Sequence, residues 1–145
     1  MSIASPRRSQ SGITLIELMV VIVIVAVLAG MATASYRRYV IRANRSEAKA
    51  ALLRVQVAQE KFFLQNNRYA KTAAEMTGAP PSGLGILATT PGKFYSIDFS
   101  AATDTAYTAR ATAINGQTND LPTCLTFTIA DTGAKTPADS TGCWK

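Results

Sequence analysis

The chain contains no histidine, and among its 145 residues there are only two cysteines, Cys124 and Cys143. Without histidine no Ser–His or Cys–His pair can form, and the side chain that titrates near neutral pH is missing. Two cysteines fall short of the four ligands of a structural zinc site, and they form no CxxC pair. No glycine-rich phosphate loop is present, because Gly83-Leu84-Gly85 lacks both a third glycine and a lysine. Acidic residues are scarce at the N-terminal end. None precedes Glu17, and only Glu47 and Glu60 stand among the nine basic residues from Arg37 to Lys71. These gaps exclude the common hydrolase, metalloenzyme and nucleotide-binding classes. No catalytic residue, cofactor or metal is expected.

Proline and charge are missing over a long stretch as well. From Ile13 to Ala34 there is no proline and no basic residue, and Glu17 is the single charge. These 22 residues would form a helix of roughly 33 Å, enough to cross a bilayer core. In a bilayer only a helix satisfies the backbone of a single segment, which overrides the strand preference of its many Val and Ile residues. Before this run stands a short basic leader, Met1 to Gly12, with Arg7, Arg8 and Pro6 and no periodicity. The small residue suited to cleavage, Gly12, precedes the apolar run, so cutting there leaves that run on the mature chain.

Glu17 is then the anomaly. An unpaired charge in hydrocarbon costs at least ~2.5–3.5 kcal/mol on insertion scales. A favourable helix dipole returns only ~0.3–1 kcal/mol. Cleavage after Gly12 would create an α-amine at Ile13, one helical turn from Glu17. A carboxylate of one subunit could neutralise the amine of a neighbour, which accounts for the leader, the junction and the buried charge together.

Beyond Ala34 the helix is expected to continue. Ser35 to Asn66 lacks both Pro and Gly, and Ala48, Ala51, Leu52, Val55, Ala58 and Phe62 recur at three- and four-residue steps as one apolar stripe. Asn66-Asn67 is the expected stop, giving a helix of about 50 residues, apolar all round and then amphipathic. A loop with Pro80-Pro81 and Pro91-Gly92 follows, with a short helical turn near Thr72–Met76. Tyr95–Phe99, Thr108–Ala113 and Leu125–Ile129 alternate as three half-buried antiparallel strands. No strand is expected in the tail from Ala134. The fold class is α+β: a long N-terminal helix with a small antiparallel sheet packed on its amphipathic half. The expected divisions are a leader (1–12), a membrane or filament-core helix (13–34), an amphipathic helix of the head (35–66), and a loop, sheet and C-terminal segment (67–145).

The basic stretch is read as a solvated helix face, and nucleic acid is not expected as a partner. By the positive-inside rule, Arg37, Arg38, Arg42, Arg45 and Lys49 taken alone would hold the C-terminal side in the cytoplasm.

Gly12-Ile13-Thr14-Leu15-Ile16-Glu17, followed by Leu-Met-Val-Val, resembles the processing site of type IV pilins and pseudopilins. Ser35 to Val40 resembles the start of their exposed helix, and Asn67-Arg68-Tyr69-Ala70 their helix-to-sheet junction. The ending Cys124…Gly133…Cys143-Trp144 looks like the PilE-type minor pilins. Two positions depart from the pattern: Ile13 stands where Phe is usual, and Ala34 where many members have Pro. The resemblance implies that a prepilin peptidase cuts after Gly12 and methylates Ile13, and that Glu17 registers the subunit during assembly. It implies partnership with other major and minor pilins and with the inner-membrane pilus assembly machinery. It places the chain in the inner membrane with its head in the periplasm, then in a cell-surface pilus serving twitching motility, adhesion or DNA uptake. A cytoplasmic leader-peptidase site and an exported head overrule the positive-inside count. In an exported head, Cys124 and Cys143 are expected to form a disulfide bounding a C-terminal loop. A type II secretion pseudopilin and a DNA-binding competence pilin are the alternatives.

Overall fold

The computed structural model describes residues 12–144, so the leader, apart from Gly12, lies outside the described residues. The chain forms two compact units that divide between Arg37 and Arg38. One helix, α1 (Leu15–Asn66), contributes to both. In the first unit every large apolar side chain from Ile13 to Met31 is 51–78% exposed. The helix is long and apolar enough to cross a membrane.

The second unit is the head. Its elements are the C-terminal part of α1, α2 (Ala73–Thr77), β1 (Tyr95–Ala102), β2 (Tyr107–Ala113), β3 (Thr126–Ala130) and β4 (Lys135–Thr136). The helix ends where Asn67 takes a φ of +53°, a left-handed conformation that asparagine tolerates. The turn anticipated near Thr72–Met76 is α2, started by a capping box between Thr72 and Glu75.

The sheet is antiparallel in the order β1-β2-β3-β4. Its packing follows from residue size. The inward positions of the second strand begin with Tyr107 and continue with Ala109, Ala111 and Ala113, all buried. Across from the alanines the flanking strands set large residues: Tyr95 opposite Ala113, Ile97 and Phe127 opposite Ala111, Phe99 and Ile129 opposite Ala109. The row of small side chains lets Tyr95 and Phe127 meet edge to face with ring centroids 5.9 Å apart. Ala48, Leu52, Val55 and Phe62 of α1 join these residues in one core, with Ala51 and Ala58 packed at its margin. The free edge of β1 is partly covered by residues 88–90, through Ile97 N–H to Ala88 O at 2.8 Å and Thr90 N–H to Tyr95 O at 2.9 Å.

One element differs from expectation. The tail supplies a fourth strand, β4, of two residues. Two residues are too few to show an alternation. The strand pairs antiparallel with β3, and side chains reinforce it: the hydroxyls of Thr128 and Thr136 are 2.6 Å apart, and Trp144 Nε1–H donates to Thr136 O at 3.0 Å.

Candidate assembly site

At the N-terminal end, the backbone around Gly12 is open: a Cβ added there would meet nothing within 4 Å. Ile13 follows, 75% exposed. The helix begins with Thr14-Leu15-Ile16-Glu17, in which Thr14 Oγ1 accepts the Glu17 N–H at 3.3 Å. This is half of a capping box, so the local sequence places Glu17 in the first turn, where an acid suits the helix dipole. Its carboxylate has no ion-pair partner among the described residues. Gly12, Ile13 and Glu17 thus sit together at one end of a segment with exposed apolar side chains all round.

The head is fastened to α1 by buried polar groups, and one of them corrects the expectation of a solvated basic face: Arg45 is buried, because Asp120 pairs with it there. Arg45 donates to Asp120 through Nε at 2.7 Å and Nη2 at 2.5 Å, with the two side chains only 8% and 3% exposed. The hydrogen bond to Asp120 raises the guanidinium pKa, with burial working against it. Gln117, fully buried, donates to Asp120 at 3.1 Å and to the carbonyl of Ile41 at 2.9 Å, and accepts from Asn44 at 3.1 Å. The connection between β2 and β3 is therefore bolted to residues 41–45 of the helix. That connection ends at Cys124, which forms a disulfide with Cys143; their Cα atoms are 5.5 Å apart. The two cysteines are fully buried, and Trp144 packs edge to face on Phe127 at 5.6 Å.

A second fastening joins α1 to the loop that follows it. The side-chain amide of Gln59 pairs with the backbone of Ala70 in both directions, at 2.7 and 2.9 Å, as a neighbouring strand would. Arg68 donates to Glu75 at 2.6 Å. That bond, opposed by burial and aided by the N–H groups of Lys71 and Thr72, lowers the Glu75 pKa to about 2. Arg110–Asp98 and Lys71–Asp104 are ion pairs of the half-exposed kind. Four basic residues of the head, Arg45, Arg68, Lys71 and Arg110, are thus paired with its own carboxylates.

Residues 7–33 match the prokaryotic N-terminal methylation motif. Residues 34–128 match the family described as type IV minor pilin ComP, DNA uptake sequence receptor. The chain belongs to the type IV minor pilin family. This minor pilin is 40% identical over 79 residues to the type IV major pilin protein PilA of Myxococcus xanthus, covering 54% of this chain and 35% of that protein. It is 36% identical over 66 residues to type II secretion system core protein G of Aeromonas hydrophila, covering 46% of each. The chain spans between about a third and a half of the length of these curated relatives. A type IV pilin structure from Shewanella oneidensis shares the fold, with a TM-score of 0.53 and 24% identity over 72% of this chain and 98% of that one.

The sequence placed Arg45 on a solvated face and gave no role to Gln59, Gln117 or Asp120. A signal for two of them was present. Ile41, Arg45, Ala48, Leu52, Val55, Gln59 and Phe62 follow steps of four and three without a break. A polar residue at a stripe position is one the fold must satisfy internally.

Proposed function

We propose that this minor pilin is a structural subunit of a type IV pilus. Residues 13–34 hold it in the inner membrane with the head on the periplasmic side. Prepilin peptidase cuts after Gly12 and methylates Ile13, and the inner-membrane assembly machinery moves the subunit into a filament with major and minor pilins. Glu17 then meets the α-amine of a neighbouring subunit.

One observation carries this reading: a helical segment with exposed apolar side chains all round that keeps a single carboxylate in its first turn. Such a surface needs a bilayer or other helices around it, and the charge needs a partner from another chain. The experiment is Glu17→Ala. The variant should insert into membrane at least as well as the parent, because a costly charge is gone. It should be depleted at least tenfold from sheared pili. Incorporation equal to the parent's would remove the role given to Glu17.

A second reading, DNA uptake, is favoured by the description of the family that residues 34–128 match. The ion pairs of the head leave fewer cations for contact with many phosphates of an extended polyanion, since Arg45, Arg68, Lys71 and Arg110 each have a carboxylate. On the structural reading, the full chain in neutral detergent binds duplex DNA no tighter than about micromolar near physiological salt, with a shallow salt slope. Tight binding that is abolished by charge reversal at head residues would establish the second reading.

A further inference from the structure

In the head, α1 and the β2–β3 connection enclose a cleft of about 270 Å³ lined by Arg38, Ile41, Arg42, Arg45, Asp120 and Leu121, together with Asn119. Its charges do not cancel. Three guanidiniums face one carboxylate, and that carboxylate is saturated. One oxygen of Asp120 accepts from Arg45 Nη2 and from the Leu121 N–H at 2.7 Å, and the other accepts from Arg45 Nε and Gln117 Nε2. A carboxylate offers about four acceptor sites, and all are filled. Arg38 and Arg42 are exposed and have no ion-pair partner among the described residues. Beside them stands a large apolar side chain, Leu121, which is 59% exposed.

We propose that this cleft binds the phosphate of an anionic phospholipid while the subunit resides in the membrane. Guanidiniums suit phosphate oxygens because their planar donors can make two parallel hydrogen bonds. An apolar lip next to paired cations matches the boundary between headgroup and acyl chain better than it matches a polyanion in water. Chain length keeps Arg38 within reach of the headgroups. Arg38 is four residues beyond Ala34, at most about 14 Å of chain even when fully extended. This inference rests on the membrane anchoring of residues 13–34.

The test uses the full chain in phosphatidylcholine nanodiscs containing a trace of photoactivatable phosphatidylglycerol or, in a parallel arm, photoactivatable phosphatidylcholine. Crosslinks are mapped by mass spectrometry. Both probes should label residues 13–34, which reports anchoring. The phosphatidylglycerol probe should label peptides containing Ile41 and Leu121 several-fold more than the other probe does. Arg38→Gln with Arg42→Gln should raise the phosphatidylglycerol needed for half-labelling about 30-fold, the equivalent of about 1 kcal/mol for each basic residue at an anionic surface. Arg54→Gln, on α1 but outside the cleft, should leave it unchanged. Equal labelling by the two lipids overturns the proposal. Displacement of the label by millimolar inorganic phosphate assigns the cleft to a soluble anion and also overturns it. So does a double variant that keeps its lipid labelling but is lost from sheared pili, since the guanidiniums then face acids of a neighbouring subunit. Absence of label from residues 13–34 would instead sink the anchoring reading, and this inference with it.

Discussion

Replacing Asp120 with alanine isolates the buried ion pair of the head. The substitution removes both hydrogen bonds to Arg45, one to Gln117 and the acceptor for the Leu121 N–H. It leaves a guanidinium in a site where its side chain is 8% exposed. Breaking a buried pair from one side costs about 3–5 kcal/mol, because the remaining charge loses its ion-pair partner. Against a total stability of roughly 5–15 kcal/mol for a domain, that is a large share. At about 4 °C per kcal/mol for a head of this size, Tm should fall by about 12–20 °C. The assay is thermal and urea unfolding of the full chain in detergent. It is followed by the fluorescence of Trp144, the only tryptophan, which packs against Phe127 beside the disulfide. The companion variant, Arg45→Met with Asp120→Leu, removes both charges and should recover at least about 2 kcal/mol relative to the single change, since apolar pairs often replace buried ion pairs at small cost. A single-variant loss below about 1 kcal/mol would place the pair in the solvent-screened class and refute the reasoning. Strict additivity of the two substitutions would do the same.

Three further outcomes follow from the structure. Replacing Cys124 and Cys143 by serine should lower head stability by about 3 kcal/mol, the loop-closure value for a separation of 19 residues, and unchanged urea midpoints would count against it. Glu75 has a folded pKa of about 2, below the ordinary carboxylate value near 4.3, so its stabilising effect is present above about pH 4.3 and disappears as the pH falls toward 2. Glu75→Gln should therefore be less stable than the parent at pH 7 and converge with it near pH 2, whereas a constant gap across that range would exclude ionisation as the cause. Gly12→Val places a branched side chain beside a backbone that a peptidase must approach closely, and should leave the full-length precursor in the membrane; a mature N-terminus at Ile13 by mass spectrometry would contradict this.

The elements that could be read from the sequence are those whose signal is local. The apolar stripe, the Asn66-Asn67 stop and the three alternating strands each depend on residues within a few positions of one another. The fourth strand is too short to have a period, and the partner that fixes it, Trp144, lies eight residues beyond Thr136. The clamp between α1 and the β2–β3 connection joins residues 73 to 76 positions apart. Nothing in a single sequence pairs Arg45 with Asp120 rather than with another of its five aspartates. The alternation in β2 could be seen, but which set of residues turned inward could not. Threonines and an arginine alternate there with alanines, and the alanines go inside because Tyr95, Ile97, Phe127 and Ile129 need the space above them.

The charged groups of α1 divide by where their partners lie, and the division is testable. Arg45 is buried, and its partner is in the same chain, so its charge contributes to folding. Glu17 sits on an exposed apolar segment and has no ion-pair partner among the described residues, so it adds little to the stability of an isolated subunit. If its partner is a neighbour's amine, its contribution appears only when subunits meet. The two perturbations should then have opposite profiles. Glu17→Ala should leave the Tm of the head within about 2 °C of the parent, as expected of a change worth less than roughly 0.5 kcal/mol at a surface position, while sharply reducing the amount in sheared pili. Asp120→Ala should lower Tm strongly. The fraction of its molecules that remain folded should still enter pili, because the N-terminal contact is intact. If Glu17→Ala lowered head stability as much as Asp120→Ala, the carboxylate would have a folding role within its own chain, and the separation between a folding charge and an assembly charge would fail.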